Sequence, residues 1–302
     1  MTHQAANKPE VSVCVITFNH APYLETCLQS IVDQETDFSF EVIVGDDCST
    51  DGTSNILRAF AARYPDVIRP IYQPVNTGGG PNFVDVHEAA RGDYIAHIDG
   101  DDYALPGKLQ KQANYLDTHS DCNVVWHRVA RQRDCEEPRM PGDPKAGTPL
   151  LFNKADCLAI GSVAVHSSKM YRASLRAGYA GKVKHQYDYE LDLLQIDGGI
   201  GAVLPEVLGV YRIGGTGLTS TSDSRSRRML DAILKEHFQS EPRYRGQISS
   251  FFLLLAIVDI KAGREHKWRS VKNWLSTFRP SSLYFFLKYA NKRSVLRYWN
   301  KV

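Results

Sequence analysis

The feature that most restricts how this chain can fold is an alternation repeated four times within its first hundred residues. Short runs of β-branched and aliphatic residues, each about one strand long, are separated by segments with helical spacing. The first run, Val11-Ser-Val-Cys-Val-Ile16, is almost wholly apolar, as a strand covered on both faces must be. Asn19-His20-Ala-Pro22 then offers a helix cap and a proline suited to a first turn, and Leu24, Leu28 and Ile31 recur at helical spacing to about Gln34. Glu41-Val-Ile-Val44 predicts a second strand. A polar loop over 45–53 leads into a helix with Ile56, Leu57, Phe60 and Ala61 on its inner face. Residues 67–72 predict a third strand, and Gly78-Gly-Gly-Pro-Asn82 breaks the chain before a helix reaching about Ala90. Asp93-Tyr-Ile-Ala-His-Ile98 predicts the fourth strand, ending in Asp99-Gly-Asp-Asp102. Such alternation implies βαβ units, hence an α/β fold with a Rossmann-like, mainly parallel sheet flanked by helices. Ligands of such sheets bind beyond the carboxyl ends of the strands, where both acidic clusters fall, Asp46-Asp47 and residues 99–102.

The rest of the chain is less regular. Residues 134–149 are rich in Pro, Gly and charge and read as a loop, and 155–189 mix short strand and helix signals. Residues 203–211 read as a strand and 214–226 as a Gly/Ser/Thr-rich loop. From about Arg227 onward the chain reads as helical.

Asp99-Gly-Asp-Asp102 carries the sharpest chemical signal. Three carboxylates at a buried strand end repel one another unless a cation neutralises them, and oxygen-only ligation suits Mg²⁺ or Mn²⁺, which also bridges a diphosphate. The plainer alternative is a solvated turn whose aspartate caps a helix near Pro106. A phosphatase nucleophile motif fits less well, because Tyr103 stands where Thr or Val is needed. In Asp46-Asp47-Cys-Ser-Thr-Asp51-Gly-Thr53, residues 49–51 suit a helix cap. That leaves Asp46 and Asp47 unexplained, and a carboxylate there matches the imide N–H of a uracil ring.

Together these stretches resemble the family 2 glycosyltransferases, which have the GT-A fold. The resemblance rests on Val13-Cys-Val-Ile-Thr-Phe-Asn19, Val44-Gly-Asp-Asp-Cys-Ser-Thr-Asp-Gly-Thr53, Asn76-Thr-Gly78 and Arg91-Gly-Asp-Tyr-Ile-Ala-His-Ile-Asp-Gly-Asp-Asp102, and it covers roughly residues 10–215. It implies a metal-dependent, inverting transfer of a sugar from a nucleotide-sugar, UDP-linked by the uracil argument, by a hexosyltransferase-type enzyme. By the same resemblance Thr17, Asn19, Asp46, Asp47 and Asn76 surround the donor nucleotide, Asp99 lies near the ribose and diphosphate, and Asp101 is the principal ligand of Mn²⁺ or Mg²⁺. Asp188, in His185-Gln-Tyr-Asp188-Tyr-Glu190, takes the place of the family's catalytic base, with Tyr187 where a glutamate is usual. Glu190 is the fallback base, and with His166 it is a candidate for the acceptor pocket. Arg212, at a Tyr-Arg strand end, either binds the diphosphate or pairs with a surface acid. Ile213 replaces the histidine of many relatives, which argues against a third metal ligand from that strand.

The implied organisation is a glycosyltransferase domain over residues 10–222, with a nucleotide-sugar half (10–103) and an acceptor half (104–222), followed by a helical region over 223–302. The net charge of +2 conceals an asymmetry there: residues 261–302 hold eleven Lys and Arg against the single acid Glu265. Trp268, Trp274, Phe278, Tyr284, Phe285, Phe286, Tyr289, Tyr298 and Trp299 are interleaved with those cations. The pattern suits either peripheral contact with an anionic membrane or a helical subdomain with its aromatics packed inward, and nothing else in the chain supports nucleic acid. No apolar run reaches the ~18 residues of a membrane span. The first ten residues lack a signal peptide's apolar core. The six scattered cysteines form no C-x-x-C and read as reduced thiols, so a cytoplasmic protein, at the inner face of the membrane if it binds there, is expected. The acceptor expected is a glycan or a lipid-linked sugar of surface polysaccharide or lipopolysaccharide assembly. The rivals are a sugar nucleotidyltransferase, which needs a Gly-rich basic loop that Thr17-Phe-Asn-His20 does not offer, and a non-catalytic scaffold retaining the fold.

Overall fold

Alternate side chains of the first strand, β1 (Val11–Thr17), feed two separate cores, as the period of two requires. Val11, Val13 and Val15 join Leu24, Leu28 and Ile31 of α1 (Ala21–Val32) and Leu57 and Phe60 of α2 (Thr53–Arg63). Cys14 joins the opposite core, with Phe83 and Val86 of α3 (Gly79–Glu88). Both faces of the strand are therefore covered, and its apolar sequence follows from that. The computed structural model describes residues 8–133, 136–142, 147–176, 179, 183–184, 188–213 and 224–299.

With β2 (Phe40–Asp46), β3 (Ile68–Tyr72) and β4 (Tyr94–Asp99), the order is β3-β2-β1-β4, all parallel, and all four strands lie where the sequence places them. Two local expectations differ. Asn19 does not cap α1: His20 holds the cap position without a side-chain bond, and Asn19 turns instead to the loop after β2. The helix expected after the Gly-rich run begins inside it, at Gly79, because Pro81 in a first turn leaves no helical acceptor unmet.

Beyond β4 the sheet continues through strands the sequence did not announce. These are β5 (Tyr103–Ala104), β6 (Cys122–Arg133), β7 (Leu150–Phe152) and β8 (Met170–Arg172), while β9 (Ile200–Ile213) extends the strand expected over 203–211. β8 runs antiparallel between β4 and β6, and β6 pairs in parallel with β9. The helix expected near Pro106 is α4 (Lys108–Thr118), which follows a left-handed Gly107. α5 (Lys154–Ile160) has a capping box in which Asn153 and Asp156 bond each other's backbone, and α6 (Asp188–Ile196) follows.

The helical C-terminal region consists of α7 (Ser224–Ser240), α8 (Arg245–Lys261), α9 (Lys267–Thr277), α10 (Ser281–Lys288) and α11 (Ala290–Trp299). α8 carries the apolar run over 251–258 as a core helix, burying Phe251 and Phe252 and packing against α5, α9 and α10. The fully buried Asp259 fixes its end, paired with Arg227 and Arg264 at 3.0 Å each and accepting a 2.6 Å bond from the Ser270 hydroxyl. A buried carboxylate is tolerated because it is paired in this way. Among the described residues no helix is long and apolar enough to cross a membrane, and five cysteines are free thiols. Cys135, residues 185–187 and most of the loop expected over 214–226 lie outside the described residues.

Candidate active site

The carboxyl ends of β1, β2 and β4 lie side by side, with Thr17 opposite Asp46 and Ile16 opposite Asp99. The chain reverses its strand order between β1 and β4, which is where a doubly wound sheet opens its ligand crevice.

One wall of this crevice is the loop after β2. Asp46 is buried and accepts the Ser49 N–H at 3.1 Å together with the hydroxyls of Ser49 and Ser54. Asp47, also buried, accepts the Thr77 N–H (2.7 Å), the Thr77 hydroxyl (2.9 Å) and the Gly78 N–H (2.8 Å). Asn76 donates to the Asp47 carbonyl at 3.2 Å, and the Asn19 side chain accepts the Thr50 N–H at 2.9 Å. Asp51 accepts N–H bonds from both Thr53 and Ala21, tying the starts of α1 and α2 together. Asn19 (φ 54°) and Cys48 (φ 62°) are both left-handed, a conformation most side chains avoid. The loop is therefore held in shape from both sides.

The second wall is the turn 99–102, and Thr17 joins it to the first. Its carbonyl accepts the Asp47 N–H at 3.0 Å. Its hydroxyl is buried without a partner and lies so near Gly100 that an added Cβ there would come within 2.8 Å of it. Asp99 accepts from His97 (3.1 Å) and from the Ser167 hydroxyl (2.9 Å). Burial alone would raise its pKa, but those hydrogen bonds and the nearby imidazoles hold it below the usual carboxylate value. Asp101 is raised, by burial and then by the Asp99 charge. Asp102, 1% exposed, is raised well above its usual value by burial and by both neighbours, and one of its oxygens has no hydrogen-bond partner. Arg212 spans this turn. Its backbone N–H donates to Asp102 at 2.8 Å, its guanidinium bonds the Asp101 carbonyl, and it lies over the rings of Tyr23 (5.0 Å) and Tyr103 (4.8 Å).

Asp188 opens α6 on the far side. Although 46% of its side-chain surface reaches solvent, surrounding protein atoms and then the Asp99 charge push its pKa up to about 7. The buried His166 Nδ1 lies 3.7 Å from the Asp188 carboxylate, beyond hydrogen-bond reach. Lys169, fully buried, pairs with Asp192 at 3.2 Å beneath. Glu190 is buried, and its carboxylate accepts the Lys184 N–H at 3.0 Å, toward the chain that precedes α6.

The structure thus brings Asp99, Asp101, Arg212, His166 and Asp188 about one crevice, with Thr17 leading to Asp46, Asp47, Asn19 and Asn76. Sequence reasoning missed His20, Tyr23, Tyr103, Ser167 and His97. Only His97 carried a usable signal, as a polar residue inside an otherwise apolar strand. Among the described residues no three His, Cys, Asp or Glu side chains gather as a ready-made metal cage. The local chemistry still fits a hard cation held jointly with a diphosphate: Asp101 and Asp99 are oxygen donors that repel each other, and the Asp101 pKa registers that repulsion.

Comparison with known proteins gives the family. Residues 12–176, more than half of the chain, match the model of Glycosyl transferase family 2. An uncharacterised protein of Mycobacterium tuberculosis is 31% identical over 271 residues, which span 88% of this chain and 73% of that relative. A Bacillus subtilis protein named for glycosyl transfer in teichuronic acid biosynthesis is 36% identical over 109 residues, 36% of this chain and 42% of the relative. Among solved structures, S. aureus TarS in complex with UDP-GlcNAc superposes with a TM-score of 0.67 at 18% identity, covering 96% of this chain and 89% of TarS. The Pyrobaculum calidifontis mannosyltransferase PcManGT, in complex with GDP-Man and Mn²⁺, superposes with a TM-score of 0.56 at 16% identity, covering 98% of this chain and 88% of that one. At these identities the structural likeness speaks for the GT-A fold.

Proposed function

The chain belongs to glycosyltransferase family 2, and on that premise we propose that it moves a sugar from a nucleotide-sugar donor to an acceptor hydroxyl, with inversion at the anomeric carbon. The observation that carries this reading is electrostatic. Asp188, on a helix of the acceptor half, is close enough to Asp99 of the nucleotide half for the charge of one to raise the pKa of the other. Two carboxylates facing one crevice from opposite sides suit a displacement in which one side activates the attacking oxygen and the other holds the leaving group.

In this mechanism the donor base lies against the loop after β2. The Asp47 carboxylate already accepts three hydrogen bonds and has one lone-pair site left, which would accept the imide N–H of uracil, so a UDP-sugar is the donor we favour. Asp99 lies by the ribose and diphosphate. Arg212, held between two tyrosine faces, adds positive charge on the diphosphate side. Asp101 would hold Mn²⁺ or Mg²⁺, which when bound supplies Lewis-acid stabilisation to the departing nucleoside diphosphate. Asp188 takes the proton of the acceptor hydroxyl as its oxygen attacks. A pKa near 7 suits a general base at neutral pH better than an ordinary aspartate. A non-catalytic scaffold would have no use for such a base.

The acceptor we propose is a growing polysaccharide or lipid-linked glycan, in keeping with the Bacillus relative's name. The helical region supports a membrane setting. α9 and α10 both pack on α8, and Trp274, Phe285, Phe286 and Tyr289 turn inward at least in part. Trp268, Leu275, Leu283, Tyr284 and Leu287 face outward at 51–72% exposure, beside exposed Lys272, Arg279 and Lys288. Apolar groups ringed by cations suit the surface of an anionic bilayer. Co-sedimentation with vesicles containing about a third phosphatidylglycerol is expected to retain the protein. Purely zwitterionic vesicles, or the Trp268→Glu/Leu287→Glu variant, should leave it in the supernatant; equal binding in all three cases would refute the membrane reading.

The reaction class is tested by a panel of UDP-, dTDP- and GDP-sugars, with and without Mn²⁺, followed by thermal shift and nucleoside diphosphate release. One UDP-sugar should stabilise the protein in the presence of Mn²⁺ and turn over. Indifference to every nucleotide sugar would defeat the proposal.

A further inference from the structure

The helix that carries Asp188 is seated on the C-terminal helical region. Tyr189, Leu193 and Ile196 of α6 recur at helical spacing and are each at most 1% exposed. They belong to one core with Ile248, Phe251 and Phe252 of α8. At the head of that stripe the Tyr189 ring meets Phe251 edge to face, with centroids 6.4 Å apart. The Tyr189 hydroxyl donates to the Cys157 carbonyl of α5 at 2.9 Å. Phe251 in turn lies against Gly161, which directly follows α5. A Cβ there would come within 2.7 Å of the Phe251 ring, and its φ of 91° is one that glycine adopts without strain.

Charge fixes the other end of α6. The buried ammonium of Lys154, the first residue of α5, bridges Asp197, just past α6, at 3.0 Å and Glu241, between α7 and α8, at 2.9 Å. Lys292 of α11 reaches Asp156 of α5 at 2.7 Å. The base helix is thus held at both ends by α5 and the tail helices, and none of the crevice residues named above lies on them. Asp188 and Tyr189 are consecutive, about 100° apart around the helix axis, so Asp188 faces the crevice while Tyr189 is anchored behind it. A shift of Tyr189 carries Asp188 with it.

We propose that Phe251 is a positioning residue for the reaction: through Tyr189 it sets where Asp188 stands in the crevice, which makes the C-terminal helical region a working part of the active site. The inference rests on the glycosyltransferase reading above for the role of Asp188, though not for the packing. A base must stand within hydrogen-bond reach of the hydroxyl it serves, and a misplacement of about 1 Å can cost about a hundredfold. The loop after β2 is braced separately, by Asp46, Asp47 and Asn19, so nucleotide binding should not register a change at Phe251.

Two measurements on full-length protein test it. With the UDP-sugar that the panel above selects, Phe251→Ala is expected to lower kcat by roughly 10–100-fold while donor KM and UDP affinity stay within about twofold. In the Asp188→Asn background the same substitution should cost no more than about twofold further, because the group it positions is already gone. A loss that only reflects less folded protein would recur in full in both backgrounds, and that result would overturn the proposal. Amide hydrogen exchange gives a readout that needs no activity. Residues 192–196 of α6 should exchange roughly tenfold faster in Phe251→Ala while β1, β2 and β4 keep their protection. Unchanged exchange in α6 would likewise overturn the proposal. If Phe251→Ala does not fold, Phe251→Leu keeps an apolar side chain against Gly161 without the ring edge. It should show the same dependence on Asp188 at smaller size, and equal losses in both backgrounds would again refute the assignment. If exchange in α6 rises as expected but the parent turns over no nucleotide sugar, the seat stands and it is the function proposed above that fails.

Discussion

Replacing Asp188 with asparagine is expected to lower turnover by roughly 10²–10⁴-fold, the range of a lost general base, while leaving donor affinity within a few-fold of the parent. Asparagine preserves size and polarity but cannot take a proton, so the loss belongs in kcat. The pH dependence carries a sign that can be checked. Asp188 acts as a base only when ionised, and with a pKa near 7 the parent should lose donor kcat/KM as pH falls through about 7. Stability should respond in the opposite sense. A carboxyl whose folded pKa is raised above its unfolded value penalises the folded state once pH exceeds the unfolded value, and the penalty is complete above the folded one. Asp188→Asn should therefore melt higher than the parent at pH 8, with the advantage fading through pH 7 and gone below pH 4. A variant that keeps full turnover, or that is less stable than the parent at pH 8, would remove Asp188 from the mechanism.

Asp101→Ala should be comparably severe, for a different reason. If Asp101 is the protein's ligand to the divalent cation, its loss removes charge stabilisation of the departing diphosphate. A thousandfold fall in turnover is expected, equivalent to about 4 kcal/mol. Unlike Asp188→Asn, this variant should also lose the increment in nucleotide affinity that Mn²⁺ gives the parent. Asp101 is raised by the adjacent Asp99 charge, so truncating it also relieves repulsion, and the folded protein should be no less stable than the parent without metal. Turnover and Mn²⁺ response both unchanged would mean that the acidic turn is only a turn.

The first hundred residues were legible because their physics is local. Four apolar runs of strand length, each followed by a helix with its own apolar stripe, leave few arrangements other than a parallel sheet, and strand ends in such a sheet are where polar residues do chemistry. Residues 104–213 were not, because they are held by long-range pairing. β6 runs twelve residues beside β9, and β8 threads between β4 and β6 in the opposite direction, an arrangement that no window of sequence encodes. Site residues divide in the same way. Asp46, Asp47, Asp99 and Asp101 declared themselves by position after a strand. His97 sat in view inside Tyr94–Asp99, but its partner His87, and Tyr171 beyond it, are brought there only by the fold. Asn19, read as a cap, proved to be a brace for the 48–51 loop: His20 holds the cap position, and the Asn19 side chain accepts the Thr50 N–H instead. In the tail, composition alone could not separate inward from outward aromatics. Packing on α8 does: Tyr289 is 4% exposed and Trp268 71%.

The central claim is that carboxylates from separate strand and helix ends converge on a donor diphosphate and its cation. A crystal of the protein grown with UDP and Mn²⁺ and measured at the manganese absorption edge tests it directly. The account predicts one anomalous peak bridging the Asp101 carboxylate and the diphosphate, with uracil against Asp47 and Asp188 across the crevice at the open side of the β-phosphate. A peak away from Asp101, or UDP bound elsewhere than at the ends of β1, β2 and β4, would contradict it.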